Sequence, residues 1–498
     1  MKIWLKFIPL LLLAILVGCD SGAKGHKEIP PSEFNKRFQP SELKQDIEFL
    51  FKTLEEVHPN LYAYAPKEII DQERKRIESQ FSSPLTRRQF YVKIAPLVAK
   101  LDDGHTWVGL PWEEIRHYVE ITGLLFPFDL DFRDGRAFIV GNYSSDSIFT
   151  VGSEVLSVNG MSIQNVVDSL LEFVVDKAVI ARMQRVKGNF KWLLQLIYGF
   201  DGEYEVEFVS KLTSEQLTQK VNGVTFEAIK TKRGTTTKHE ELVYYTYYSL
   251  PEERIGIIDF RECTDYEKFK TFLTETFILI QKDSIESLII DVRKNPGGES
   301  HLGDELLTYI TEKPFTQSSK VETKISKQIK KFHRSFLPWY RRWLPDWFLK
   351  SDPNYEVLCR APEGSIVTVK CKPIIPQENP LRFNGDVYVL IGPGTYSSAM
   401  SFAVAIKDCR LGILIGEETG GLATSYGAAY QFDVPNTYLK AGVSSKYIVR
   451  PSGEDDGRGV LPDYEVKESV EDLEKGIDGV MEFTRRLIKS KSTSSRKL

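Results

Sequence analysis

Two short stretches of this chain carry residues whose types and spacing suit nucleophilic chemistry. In "GPGTYSSAM" (392–400), Ser397 and Ser398 stand between an apolar run, Val387 to Ile391, and a segment offering Ala399, Met400, Ala403, Val404 and Ile406 for helix packing. A serine at such a junction either caps the first helical N–H groups or attacks a carbonyl. In the second case the amide that follows it, Ser398 N–H, and the helix dipole favour the oxyanion. "SLIIDVRKNPGGES" (287–300) repeats the design, with Pro296, Gly297 and Gly298 before a helix. Glycine admits a backbone path closed to other residues, and amides on such a turn hold negatively charged oxygen. Neither GxGxxG nor GxxxxGK[ST] is present, and the serine is not in GxSxG, so neither a nucleotide loop nor an α/β-hydrolase elbow is indicated.

A serine hydroxyl is a weak nucleophile at neutral pH and needs a base. His105, in "LDDGHTWVGL", sits in a glycine turn between apolar runs; His301, just past the glycine loop, is its rival. His58, in "EEVHPNLY" beside a proline, reads as a packing residue. The seven histidines are scattered without HExxH, and the cysteines at 263, 359, 371 and 409 form no CxxC. No metal site and no cofactor is expected. A disulfide framework is not indicated either, although Cys359 and Cys371 could close a hairpin.

The surrounding elements follow from periodicity. Residues 39–118 read as a helical domain, with Leu43, Ile47, Leu50 and Leu54 at helical spacing, Ser41 as N-cap, and a second helix over 86–101. From 119 the texture turns to short β-like runs with glycine and asparagine turns. Within them "SIFTVGSEVLSVNGMSIQNVVDSLLEFV" resembles the second half of a PDZ domain, a module that commonly recognises extended peptides by strand addition. "ITGLLFPF" is the candidate carboxylate-binding loop, and the PDZ-like domain with its connector spans 119–239. Residues 240–480 alternate strand and helix as an α/β core. A run of lysine, arginine and tryptophan at 327–350 interrupts it; such a mixture suits a membrane surface or the cover of a cleft, but its prolines break any long amphipathic helix and its aromatics are expected to pack on the core. A basic tail, 481–498, follows.

At 498 residues with 42% hydrophobic composition the chain can bury more than one core, and 65 basic against 69 acidic residues give no reason to expect nucleic acid. The first 19 residues carry lysines at 2 and 6 and an apolar run from Phe7 to Val17, shorter than the ~20 residues of a spanning helix. They end in "LVGC", which resembles the lipobox of bacterial lipoproteins; cleavage there leaves Cys19 lipidated. Residues 20–38 then form a polar tether. The chain is therefore expected to be exported and lipid-anchored to a bacterial envelope membrane, its folded part outside the cytoplasm.

The order "DDGHT", PDZ-like segment, "LIIDVRKNPGG", "VYVLIGPGTYSSAMSFA", "IGEETGG" resembles the tail-specific, or carboxy-terminal processing, serine peptidase family, including its tricorn-like branch, over roughly residues 40–470. The resemblance implies a ClpP/crotonase-like α/β catalytic core, a PDZ-like β-rich domain and an N-terminal helical domain. It implies Ser397 as nucleophile, with Ser398 N–H and the Gly297–Gly298 turn as oxyanion hole, and polypeptide substrates, some engaged through their C-termini. One branch pairs serine with a lysine, which "GEETGGLATSYG" lacks. The tricorn-like branch uses a histidine before the PDZ domain, matched by His105, and a late acidic residue, matched by Asp456 with Asp455 close behind. That branch has serine immediately before its histidine and glutamate as its acid; this chain has Gly104 and aspartate.

The implied mechanism is acyl transfer, with His105 taking the Ser397 proton and Asp456 orienting the imidazole. Ser398 would lend its N–H and share in helix capping. A different reading is a non-catalytic peptide-binding envelope lipoprotein that retains the fold. An acyl-CoA enzyme of the crotonase type would share the core, but the secretion signal argues against it.

Overall fold

The computed structural model describes residues 29–121, 123–199, 202–233, 244–335, 337, 339, 342–343 and 360–495. The expected signal peptide with Cys19, the tether up to residue 28, Cys359 and the end of the basic tail lie outside the described residues. No described helix is long and apolar enough to cross a membrane.

Helices α1 (Pro40–Val57), α2 (Lys67–Ser79) and α3 (Arg87–Ala99) lead to the two-residue strand β1 (Trp107–Val108) and helix α4 (Trp112–Ile121). The predicted stripe Leu43, Ile47, Leu50 and Leu54 is fully buried. The cap lies earlier than expected, at Gln39 rather than Ser41. Pro40 takes the first helical position, where its missing N–H costs nothing, and Gln39 N–H donates to Glu42 Oε2 at 2.7 Å.

Next come β2 (Phe128–Arg133), β3 (Arg136–Asn142), β4 (Glu154–Val158), α5 (Ile163–Leu171), α6 (Val179–Tyr198), β5 (Glu203–Val209), β6 (Gln216–Asn222) and α7 (Phe226–Lys232). The strands form an antiparallel sheet in the order β6-β5-β4-β3-β2, so β2 is an edge. Helix α6 straddles that edge. Neighbouring residues of a strand point to opposite faces; the Phe190 ring lies 5.8 Å from Phe132, whereas Lys187 and Lys191 pair with Asp131 at 2.5 Å and Asp129 at 2.6 Å. Helix α6 thus contacts side chains on both faces of the edge strand.

One hydrophobic cluster runs from α1 through α3 and this sheet to Val434, Leu439, Ala441 and Val443, so the two segments read as separate domains share a core. Asp46, buried on α1, fastens that junction. It accepts from Asn436 N at 2.8 Å, Thr437 N at 2.8 Å and Thr437 Oγ1 at 2.6 Å. Asp46→Ala strands these donors and should lower stability by about 3 kcal/mol, read as a fall in the urea midpoint with an unchanged slope.

The chain continues with β7 (Tyr245–Leu250), β8 (Ile255–Phe260), α8 (Tyr266–Lys282), β9 (Ser287–Asp291), α9 (His301–Ile310), β10 (Lys320–Lys324), α10 (Lys327–Ser335), β11 (Ile366–Lys370), β12 (Asp386–Ile391), α11 (Ser397–Asp408), β13 (Ile413–Gly416), β14 (Ser425–Asp433), β15 (Lys440–Val449), β16 (Tyr464–Glu465) and, after a short helix at Val470–Lys475, α12 (Gly479–Ser495). The order β7-β8-β9-β12-β13-β16 makes one sheet, parallel from β8 onward. Its strands are continuous apolar runs because both faces are covered. Ile258, Ile290 and Val389 face α8, α9 and α11, while Ile257, Ile289 and Leu390 face Val480 and Ile488 of α12. A second, antiparallel sheet has the order β11-β10-β15-β14, with β1 added to β15. In the 327–350 run, Leu337 is buried, but Trp339 and Trp343 are 75% and 88% exposed. These two aromatics do not pack on the core as expected.

Candidate active site

Ser397 is the first residue of α11, after the turn that follows β12. Thr395 braces this turn: it is buried, its Oγ1 donates to Val292 O at 2.8 Å, and it accepts from Gly392 N at 3.1 Å. Ser397 has φ +50°, a left-handed conformation that costs a non-glycine residue about 1–3 kcal/mol. The cap position belongs to Tyr396, and no side chain caps the helix. Ser398 does not cap either, since its Oγ donates to Gly298 O at 2.6 Å. Neither serine is spent on the role that would explain it most simply.

The glycine turn after β9 packs directly on this elbow. Gly297 has φ +104°, and a Cβ there would lie 2.7 Å from Ser397 Cβ and 2.8 Å from Ser398 N. The Gly297 N–H, expected to serve the oxyanion, instead donates to Asn295 Oδ1 at 2.9 Å, because that side chain folds back into the turn. Gly298 forms a parallel bridge with Cys263. Ser398 N–H lies in the first helical turn, where an amide has no acceptor inside its own helix.

His105 arrives from the other end of the chain. Two residues after it, β1 pairs with β15, Trp107 opposite Gly442 and Val108 opposite Ala441, which carries the N-terminal segment into the second sheet. His105 Nε2 stands 3.3 Å from Ser397 Oγ across 292 residues of sequence. The other ring nitrogen faces β14: the Tyr426 carbonyl accepts a hydrogen bond from the imidazole, and Nδ1 lies 3.9 Å from where a Gly427 Cβ would be. The rival His301 is half exposed and occupied with Glu299 at 3.3 Å and the Tyr266 ring.

The late acidic stretch does not reach the imidazole. Asp456 is exposed and accepts from Arg458 N at 3.1 Å; Asp455 accepts from Tyr447 Oη at 2.5 Å. The physical reason is the tethering on either side of this turn. Arg450 is bonded to Asp408 at 2.6 Å and Arg458 to Glu418 at 2.6 Å, which holds residues 452–458 on the surface. The carboxylate beside His105 is Asp103, which sequence reasoning passed over. It is buried and accepts from His58 Nε2 at 3.0 Å, Ser444 Oγ at 2.6 Å, Thr106 Oγ1 at 2.5 Å and His105 N at 3.2 Å. Asn60 N–H donates to His58 Nδ1 at 3.0 Å, so the proton of that ring sits on Nε2, toward Asp103. The pattern D-x-H held a signal for Asp103, an acid two residues before the candidate base.

Burial alone would raise the Asp103 pKa, but the hydrogen bond from His58 and nearby charge carry it well below the usual carboxylate range. Burial pushes His105 below an ordinary histidine; Asp103 opposes this and Arg185 adds to it. A neutral imidazole facing a hydroxyl is the state in which it can accept a proton. The pair opens on a cleft whose lining includes Tyr64, Met400, Leu422 and Tyr426 together with Asp102 and Lys177.

Residues 254–466 match the family model described as Peptidase family S41. Among solved structures, mature CPAF complexed with lactacystin is 16% identical, covering 90% of this chain and 98% of that one with a TM-score of 0.62. A second structure of mature CPAF is 17% identical over 90% of this chain and 97% of that one, with a TM-score of 0.59. At such identity the likeness establishes the mixed α/β fold that the sequence predicted. The sequence matches no curated protein. The matched segment holds β8 through β16, with Ser397 inside it.

Proposed function

We propose that the chain is a serine peptidase in which Ser397 is the nucleophile and His105 the general base. The observation that carries this reading is the 3.3 Å approach of His105 Nε2, in the loop before β1, to Ser397 Oγ at the start of α11, both lining one cleft. Separations of this size in a substrate-free site tighten when substrate binds. His105 takes the hydroxyl proton as Ser397 Oγ attacks the peptide carbonyl; Ser398 N–H and the helix dipole receive the oxyanion. The imidazolium then protonates the departing amine, and water repeats the sequence on the acyl-enzyme. Tyr426 O fixes the tautomer by accepting from the imidazole, and the buried charge of Asp103 favours the transient imidazolium.

Incubating the full chain with unfolded polypeptides and mapping the new ends tests the proposal. The expected result is new C-termini that disappear with Ser397→Ala. Turnover by that variant would contradict the assignment, and peptide binding without any turnover would favour the non-catalytic reading. Ends clustered near substrate C-termini support the tail-specific form; internal ends support a general endopeptidase.

The location we propose is a bacterial envelope membrane, with the chain held through Cys19 in "LVGC" and its folded part outside the cytoplasm. Palmitate incorporation that vanishes with Cys19→Ser is the expected result, and incorporation that persists would remove the anchor.

A further inference from the structure

Three buried or enclosed side chains converge on the Ser397–His105 pair without any role in the mechanism above. Tyr396, immediately before the nucleophile, donates from Oη to Asp176 Oδ2 at 2.8 Å. Asp176, in the loop between α5 and α6, is buried and takes a second bond from Arg185 Nη2 at 3.2 Å. Arg185, on α6, also donates to the Gly104 carbonyl at 3.3 Å and places its guanidinium 4.7 Å from the centre of the Tyr396 ring. That ring in turn stacks on His105, with centres 5.3 Å apart and planes 27° apart. The unit therefore touches the backbone just before the base and the residue just before the nucleophile.

The space is fully used. A Cβ on Gly104 would lie 2.1 Å from Tyr396 Oη and 2.2 Å from Asp176 Oδ2, so the Tyr396–Asp176 bond occupies the volume that any side chain at 104 would need. Desolvation pushes Asp176 up to about 6 despite Arg185 and Tyr396. A buried ion pair is a poor source of stability, and its best-attested use is to fix one arrangement over others.

We infer that Arg185, Asp176 and Tyr396 form a positioning unit that sets the plane of the His105 imidazole and the spacing between the 104–105 and 396–397 backbones. The inference rests on the reading of Ser397 and His105 given above. Helix α6 then has a second role, since the helix that packs along β2 also reaches into the site through Arg185. The unit acts by charge as well as by contact. The groups facing His105 are Asp103 from its own loop, Arg185 from α6, Tyr396 from the elbow with Asp176 behind it, and the Tyr426 carbonyl from β14. Arg185 is the cation among them. Removing it raises the imidazole pKa, so the base stays protonated to a higher pH and the acid limb of the rate profile moves upward.

The test is the rate at which a fluorophosphonate modifies Ser397 in the full chain between pH 5 and 9, alongside peptide turnover and a melting curve. Tyr396→Phe, which keeps the ring and loses the bond to Asp176, should lower kcat by about tenfold or more with KM nearly unchanged, as a small misplacement of reacting groups does. Arg185→Met should move the acid limb up by roughly half a pH unit or more, and Arg185→Lys should return the limb because it keeps the charge. Folded variants that keep the wild-type rate and pH profile would overturn the inference. If Arg185→Met fails to fold, Tyr396→Phe decides alone. A wild-type chain that neither reacts nor cleaves removes the serine-peptidase reading and this inference with it; a reactive wild type with indifferent variants removes the inference alone.

Discussion

Ser397→Ala should lower peptide turnover by about 10⁴-fold or more, and adding His105→Ala to it should lower turnover little further, because two groups that act as one unit are not additive. The structure gives three reasons to expect an effect of this size. Ser397 makes no capping bond that would explain it otherwise. It is held at φ +50°, a conformation paid for by the surrounding packing and not by the residue itself. Its Oγ faces a histidine whose second nitrogen is already engaged by Tyr426, which leaves Nε2 for the hydroxyl. His105→Ala alone should fall nearly as far as Ser397→Ala. Turnover measured for the two single variants and the double variant checks this. A double variant slower than either single one by the product of their effects would mean that serine and histidine act apart.

Gly104→Ser, which places a serine before the histidine as in the tricorn-like branch, should lower kcat by about a hundredfold or more. The new Cβ would stand 2.1 Å from Tyr396 Oη and 2.2 Å from Asp176 Oδ2, far inside contact distance. Relief requires either breaking the Tyr396–Asp176 bond or displacing the backbone that carries His105, and both disturb the Nε2 to Oγ spacing. The variant should also lose about 1–3 kcal/mol of stability through overpacking. Steady-state kinetics with a melting curve separate the two effects. Wild-type kcat in Gly104→Ser would mean that the loop before His105 is free to move without consequence.

The parts legible in the sequence were those written locally. Parallel strands such as "SLIID" are unbroken apolar runs because α8, α9 and α11 cover one face and α12 the other, and the glycine turns that follow them mark where such strands deliver their loops. Ser397 could be singled out because it sits at such a turn, and His105 because it sits at a glycine turn between α3 and β1. What escaped depends on contacts between residues far apart. Asp176 meets Tyr396 across 220 residues and Ser444 meets Asp103 across 341, and no local pattern announces either bond. Asp456 was chosen from a dense acidic run whose exposure is set by the Arg450–Asp408 and Arg458–Glu418 pairs on either side. The Gly297 amide was assigned to the oxyanion although Asn295, two residues earlier, takes it.

Everything proposed for this site depends on the activation of Ser397 by His105. Identifying the residue modified by a fluorophosphonate, through peptide mass spectrometry of the full chain and of His105→Ala, tests it most directly. The predicted result is a single adduct on Ser397 whose formation slows by several orders of magnitude in His105→Ala; an adduct on another residue, or one on Ser397 that forms at the wild-type rate without the histidine, would contradict it.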